Sequence, residues 1–308
     1  MKIVLSSLKS TFRLLPRLLV FGATVTLTGC YKHTRIVEQT IAPDIVMNSS
    51  VDQLVKQLNT NFDAIRTLTA SVTLAPSTGG GRAGKVTDYG PFKGYILMRK
   101  PHDLRVILQV PVFGGVGLDM VSDGTNFKLI IPHENKAMVG LDQAVTTPSK
   151  NPLYDLRPFI FYDAFFIPSV NDQQFVTLTQ SDRIVPSDTH KNQTLEEPDY
   201  DLAVLHRAPS SSPANILGAL RVVHYSRVTL LPYQQDIYDE KGRIVTSVLY
   251  SGYQRYGDIN FPTQIDIHRP YDELELKVTI TKLTPNTTLD DDQFNLQIPA
   301  GTTIQKMN

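Results

Sequence analysis

Cys30 is the only thiol in the 308 residues, so no disulfide can form within the chain. Other reactive groups are scattered. The seven histidines include no His-x-x-x-His pair, and a metal site has no cysteine ligands to draw on. No Gly-x-Ser-x-Gly elbow offers a nucleophilic serine. Gly114-Gly115-Val116-Gly117 lacks the spacing and following helix of a phosphate loop and reads as a flexible turn. Asp290 to Asp292 could meet calcium, but three acids before a final strand read first as a solvated turn. Arg105 could meet a lipid headgroup or simply face solvent from a strand. No catalytic residue, metal or cofactor is therefore expected.

The setting of Cys30 gives it a different chemistry. Lys2, Lys9, Arg13 and Arg17 precede an apolar run from Leu18 to Leu27, which is shorter than the roughly 20 residues of a membrane span and matches a signal-peptide core. Leu27-Thr28-Gly29-Cys30 resembles the lipobox of bacterial lipoproteins, which implies cleavage before Cys30 and lipidation of its thiol and new amine. One acyl chain anchors marginally, at about 0.8 kcal/mol per buried methylene, and three hold firmly. Tyr31 and Lys32 follow, with no Asp beside the cysteine. By resemblance to enterobacterial sorting rules this places the chain on the periplasmic face of the outer membrane. Without the leader's four cations, 30 basic residues become 26 against 30 acids, and no basic stripe points to nucleic acid.

Residues 1–29 thus read as a lipoprotein signal peptide, 30–47 as a lipidated tether and 48–308 as the folded domain. The domain opens with a helix capped by Ser49 or Ser50, with Val51, Leu54, Val55, Leu58, Phe62 and Ile65 on one face. Short strands follow at 67–75, 92–99, 103–110, 117–122, 126–131 and 136–139. A second series covers 200–207, 219–231, 234–239, 243–253, 263–269 and 274–283. In the last, Leu274, Leu276, Val278 and Ile280 alternate with polar residues, so one face is buried. Between the two series, Asn151-Pro152 offers a helix start for an apolar segment, Leu153 to Ile167, too short to span a bilayer. Thr78–Gly84 reads as a flexible link, and Ser187–Pro198 and Pro209–Pro213 as loops.

Three blocks resemble the LolA/LolB superfamily: Arg99-Lys100-Pro101 leading through Leu104 and Arg105, Val121 to Gly124 with Phe127 and Pro132, and Leu289 to Gly301. The resemblance implies a mostly β, α+β fold, a half-open antiparallel barrel wrapped around an N-terminal helix and a helical lid. A sheet of about 11 or more strands tends to curl. Since lipid-anchored members of the LolB kind receive cargo at the outer membrane, the lipobox points to them. It further implies a membrane-contact loop with Val112 and Phe113 at its tip. Acyl chains of lipoproteins or lipids would lie along Leu104, Val106, Leu108, Leu276, Val278 and Ile280, under a lid bearing Leu156, Phe159, Ile160 and Phe165. A periplasmic carrier protein could deliver the cargo. Lys100 stands where soluble carriers often latch the lid with Arg, and a lysine cannot form the same forked set of bonds. The region from 141 to 215 exceeds typical members. Two rival readings are an assembly lipoprotein that docks proteins on the same fold and a carrier of another envelope lipid.

Overall fold

The structure, a computed structural model, describes residues 40–43, 45–111, 114–144, 152–187, 193–207 and 216–307. They fall into a small unit, whose described part is 40–41, 185–187 and 193–195, and a large one, Ala42–Ile184 with Glu196–Asn308. In the small unit Thr40–Ile41 (β1) runs parallel to Thr194 and Leu195.

The large unit begins with helix α1 (Val51–Ala64). Ser50 Oγ accepts the Gln53 N–H at 3.3 Å and Gln53 Oε1 accepts the Ser50 N–H at 2.9 Å, a reciprocal capping box. Leu54 and Leu58 seat the helix on Tyr200, Leu202, Val223 and Tyr225. At its end the chain turns extended at Ile65, and Asn286 bridges the break, donating to Ala64 O and accepting from Arg66 N–H, both at 2.8 Å.

Strands β2 (Thr67–Gly80), β3 (Lys85–Asp88), β4 (Phe92–Arg99), β5 (Asp103–Gln109), β6 (Val116–Ser122), β7 (Asn126–Ile131) and β8 (Lys136–Leu141) precede the helical segment. After it come β9 (Phe175–Pro186), β10 (Thr194–Arg207), β11 (Leu217–Ser226), β12 (Pro232–Tyr238), β13 (Ile244–Ser251), β14 (Gln254–Tyr256), β15 (Ile259–Phe261), β16 (Gln264–Arg269), β17 (Leu274–Pro285) and β18 (Thr303–Met307). The main sheet runs β10-β11-β12-β13-β16-β17-β2-β4-β5-β6-β7-β8-β18, with β3 on β2 and β9 on β10, while β14 and β15 form a separate hairpin. Among the described residues its two ends share no ladder, so the sheet is open.

Five readings of the sequence need correction. The sheet is mixed rather than antiparallel, because β18 pairs parallel with β8, as β1 does with its partner residues. Hairpins enforce antiparallel neighbours, but β18 arrives by a long strap from β17. Thr78–Gly84 is no link, since Gly79 and Gly80 pair with Val86 and Lys85 at the tip of the β2–β3 hairpin. The expected loop 187–198 ends at Thr194, where β10 begins, and the expected strand 219–231 stops at Ser226 in a turn closed by Leu230 N–H to Ser226 O at 2.7 Å. Finally, the helix expected over 153–167 is a 3-10 turn, Pro152–Tyr154, followed by helix α2 (Pro158–Phe165). Pro158 has no N–H and keeps Arg157 extended, so the α-helix starts at the proline. Asn151 lies outside the described residues.

The strap crosses the outer face of the sheet. Arg99 of β4 holds Leu289 O at 3.0 Å, Arg105 of β5 holds Gln293 O at 2.8 Å, and Asn135 Nδ2 beside β8 holds Gly301 O at 3.1 Å. Leu296 fills a small apolar cluster with Val121, Ile130 and Ala137.

Candidate functional site

The opposite, inner face is apolar by strand parity. Leu104, Val106 and Leu108 project from β5 and Leu276, Val278 and Ile280 from β17, while β2 and β4 between them add Leu68, Ala70, Val72, Ile96 and Met98. Register aligns these into rows such as Leu108–Gly94–Val72–Ile280. Gly94 is dictated there, because a Cβ would lie 2.1 Å from Ile107 O. The six residues expected to line a cavity are thus on one face of one sheet, each 5 % exposed or less.

That face is covered by the segment from Leu153 to Phe166. Leu153, Leu156, Ile160, Phe161, Phe165 and Phe166 are buried against it, and Phe159 is partly buried with Arg269 4.8 Å above its ring. Helix α2 touches both β6 and β16, and β5, β4, β2 and β17 lie between those strands, so the sheet curves around the helix. The concave surface is filled by the protein's own side chains. Among the described residues a cleft of about 80 Å³ opens beside the segment, lined by Phe62, Phe165, Phe166, Tyr250, Tyr253 and Phe261. Small-molecule pockets run to roughly 300–1,000 Å³, so a long ligand requires the segment to move.

Polar contacts fasten the segment at two sides. On one, Lys100 Nζ bonds Phe62 O and lies 5.0 Å from the Phe166 ring, and Tyr162 OH bonds Pro101 O. Lys100 therefore makes a point contact rather than an arginine-like fork, and burial pushes its ammonium down to about 8. On the other side, Gln235 Nε2 donates to Asp163 O at 3.0 Å. Burial pushes the carboxyl of Asp163 up to about 6, outweighing the charges of Arg221 and Arg269 that pull it down. Arg157 is buried, donating from Nη1 to Tyr154 O and Leu156 O with Phe127 beneath it.

Sequence patterning missed this polar group. The available signal was parity: Arg221 and Gln235 occupy inner positions of β11 and β12, in register with apolar residues, where the period-2 rule calls for an apolar side chain.

Other expected positions serve different ends. Cys30, Val112 and Phe113 lie outside the described residues. Arg105 is largely enclosed, and its guanidinium forks onto Asp119 at 3.0 and 2.8 Å. Asp290 caps a 3-10 turn over Asp291–Phe294, and Asp291 pairs with Arg99 at 2.8 Å. Among the described residues no group of three or more His, Cys, Asp or Glu is placed to hold a metal ion, and no helix is long and apolar enough to cross a membrane.

No family model and no curated protein matches the sequence. Solved structures do match it. The chain shares its fold with a DUF1329 family protein from Desulfovibrio piger. The two are 18 % identical over 80 % of this chain and 95 % of that one, with a TM-score of 0.50. A LolA superfamily protein from Nitrosomonas europaea is 13 % identical over 79 % of this chain and 97 % of its own, at 0.46. A domain described as an outer membrane lipoprotein-sorting protein, from Vibrio parahaemolyticus, is 10 % identical over 80 % and 95 %, also at 0.46.

Proposed function

We propose that this chain is a non-enzymatic envelope lipoprotein, anchored through Cys30 at the periplasmic face of the outer membrane, that takes up acyl chains of lipoproteins or lipids on the inner face of its sheet. In this reading residues 1–29 are removed, 30–47 tether the domain, and the tip at Val112 and Phe113 dips into the bilayer to ease transfer, as the likeness to lipid-anchored receptors implies. One observation carries the reading. The inner face is closed by a short aromatic segment rather than by a second sheet.

Energetics support exchange. Exposing six buried side chains at about 2 kcal/mol each costs roughly 12 kcal/mol, and burying an acyl chain of about 16 methylenes returns roughly 13 kcal/mol. The small difference allows tail and lid to replace one another.

The test is mass spectrometry of the protein purified from membranes, together with tail-probe binding to the purified chain. Co-purified lipid or acylated peptide, and a probe displaced by added lipid, are expected. A chain that binds no tail, yet retains a stoichiometric protein partner, would identify a docking lipoprotein instead.

A further inference from the structure

The inner face beneath helix α2 is charged as well as apolar. Arg221 stands opposite Ile237, Ile237 opposite Thr246, and Arg269 Nη1 bonds Thr246 Oγ1 at 2.7 Å, so one row across β11, β12, β13 and β16 carries two guanidinium groups. The adjacent row, Val223, Gln235, Val248 and Ile267, is apolar except for Gln235. Gln235 is fully buried and its Oε1 has no partner among the described residues, and the same holds for the hydroxyl of Tyr250, 6 % exposed.

The charges divide between sheet and lid. Asp272 already engages Arg269 through its Nε, and Arg221 reaches Pro168 O at 3.4 Å. The acid whose charge acts on Arg221 is Asp163, carried by helix α2 itself, whose backbone carbonyl Gln235 ties to the sheet at 3.0 Å. If α2 leaves, Asp163 leaves with it, Gln235 Nε2 loses its carbonyl partner, and the sheet keeps Arg221 with no counter-charge. A half-buried cation that a tail would cover without a partner is costly, and a cavity for neutral tails alone has no use for one.

We propose that the site selects amphiphiles with an anionic head, a carboxylate or a phosphate on an acyl tail, the head replacing Asp163 on Arg221 with Gln235 and Tyr250 as added donors. The inference rests on the tail-binding reading above and adds the chemistry of the head. Asp163 acts as an internal stand-in that satisfies Arg221 while the site is empty, and the tail follows the rows of β5 and β17 vacated by Ile160, Phe161 and Phe165.

The test is displacement of a neutral fluorescent probe, cis-parinaric acid methyl ester, from the purified full-length chain by oleate, methyl oleate and 1-oleoyl lysophosphatidate. At least one anionic competitor should act at about tenfold lower concentration than methyl oleate, the worth of one charge-assisted contact. The stronger of the two then identifies a carboxylate or a phosphate as the natural head. In Arg221→Gln the gap should shrink below about twofold while methyl oleate competes as before, which shows the tail site intact. Arg221→Lys should keep part of the gap and Asp163→Asn should widen it. Equal displacement by all three lipids, or an unchanged gap in Arg221→Gln, overturns the headgroup inference and leaves tail binding standing. Failure of the probe to bind overturns both.

Discussion

The Lys100 ammonium lies 3.2 Å from the centre of the Phe62 ring, at the last turn of α1 and beside Phe166 at the end of α2. One side chain at the β4–β5 turn thereby touches both helices. A cation over an aromatic face gains about 1–2 kcal/mol when partly desolvated, but enclosure lowers the affinity of Lys100 for its proton.

That balance sets a pH dependence. The unfolded chain holds the proton up to about pH 10.4, whereas the folded chain releases it near 8. Between these values the folded state binds fewer protons, so stability rises with pH. Urea denaturation from about pH 8 to about pH 10 should show the wild type gaining on the order of 1–2 kcal/mol relative to Lys100→Met. Parallel profiles for the two proteins would mean that the ammonium is not enclosed.

Phe165 links stability to binding. It is 4 % exposed, lines the cleft and lies 6.2 Å from the Phe261 ring. Phe165→Ala should destabilise the fold by about 3–5 kcal/mol and, by weakening the cover and enlarging the cleft, tighten the binding of tail probes. Calorimetric unfolding and probe titration of the same variant check the pair of signs. Loss of both stability and binding would show Phe165 to be part of a rigid site rather than a competitor for it.

How much of this was legible depends on what each residue's neighbours are. Period-2 alternation in β5 and β17 gave the inner face, because parity is a local property, and the pair Ser49 or Ser50 gave the start of α1 to within one residue for the same reason. Strand β9 escaped notice because its sequence, rich in Thr, Gln, Ser, Asp and Arg, leaves most of its side chains exposed or half-buried. Strand β18 did too, since its partner β8 lies far away in the chain. The strap's sequence showed an acid, a Phe, a Pro and a Gly in order, yet its crossing of β4 and β5 depends on Arg99 and Arg105, whose contacts lie about 190 residues away. The polar site under α2 was hidden for a related reason. Asp163, Arg221, Gln235 and Arg269 sit on four separate elements, and no spacing in the sequence joins them.

His224 supplies a second pH signal, of opposite sign. Its Nδ1 lies 2.6 Å from Asp201 and its Nε2 3.2 Å from Asp236, on the outer face of β10 to β12. Burial by itself would lower the affinity of the ring for its second proton, but the bonds to Asp236 and Asp201 together outweigh it and raise the value. The stabilisation is complete below about pH 6.5, the unfolded value, and is lost as pH climbs through the raised folded value. His224→Gln should cost about 2 kcal/mol at pH 6 and progressively less above neutrality. Imidazole shifts followed by NMR, together with denaturation at several pH values, check it. A ring that titrates at or below about 6.5 contradicts the double bridge.

The two arginines that hold the strap should differ in worth, because their carboxylate partners differ in exposure. Arg105 and Asp119 are 20 % and 14 % exposed, and the fork between them leaves Nη1 free for Gln293 O. Arg105→Ala strands Asp119 in a partly desolvated setting and unfastens the strap, so a loss of about 2–3 kcal/mol is expected. Arg99 shares itself between Asp103 and Asp291, and Asp291 is 95 % exposed. Solvent screens such a pair, and Asp291→Ala should cost no more than about 1 kcal/mol. Limited proteolysis separates the effects further. With Arg105 gone, cleavage should concentrate between Asn286 and Gly301 while helix α2 stays protected, since the strap covers the outer face and α2 the inner one. If Asp291→Ala proves the more damaging of the two, the strap is held by its exposed acids, and the Arg105 fork is incidental to it.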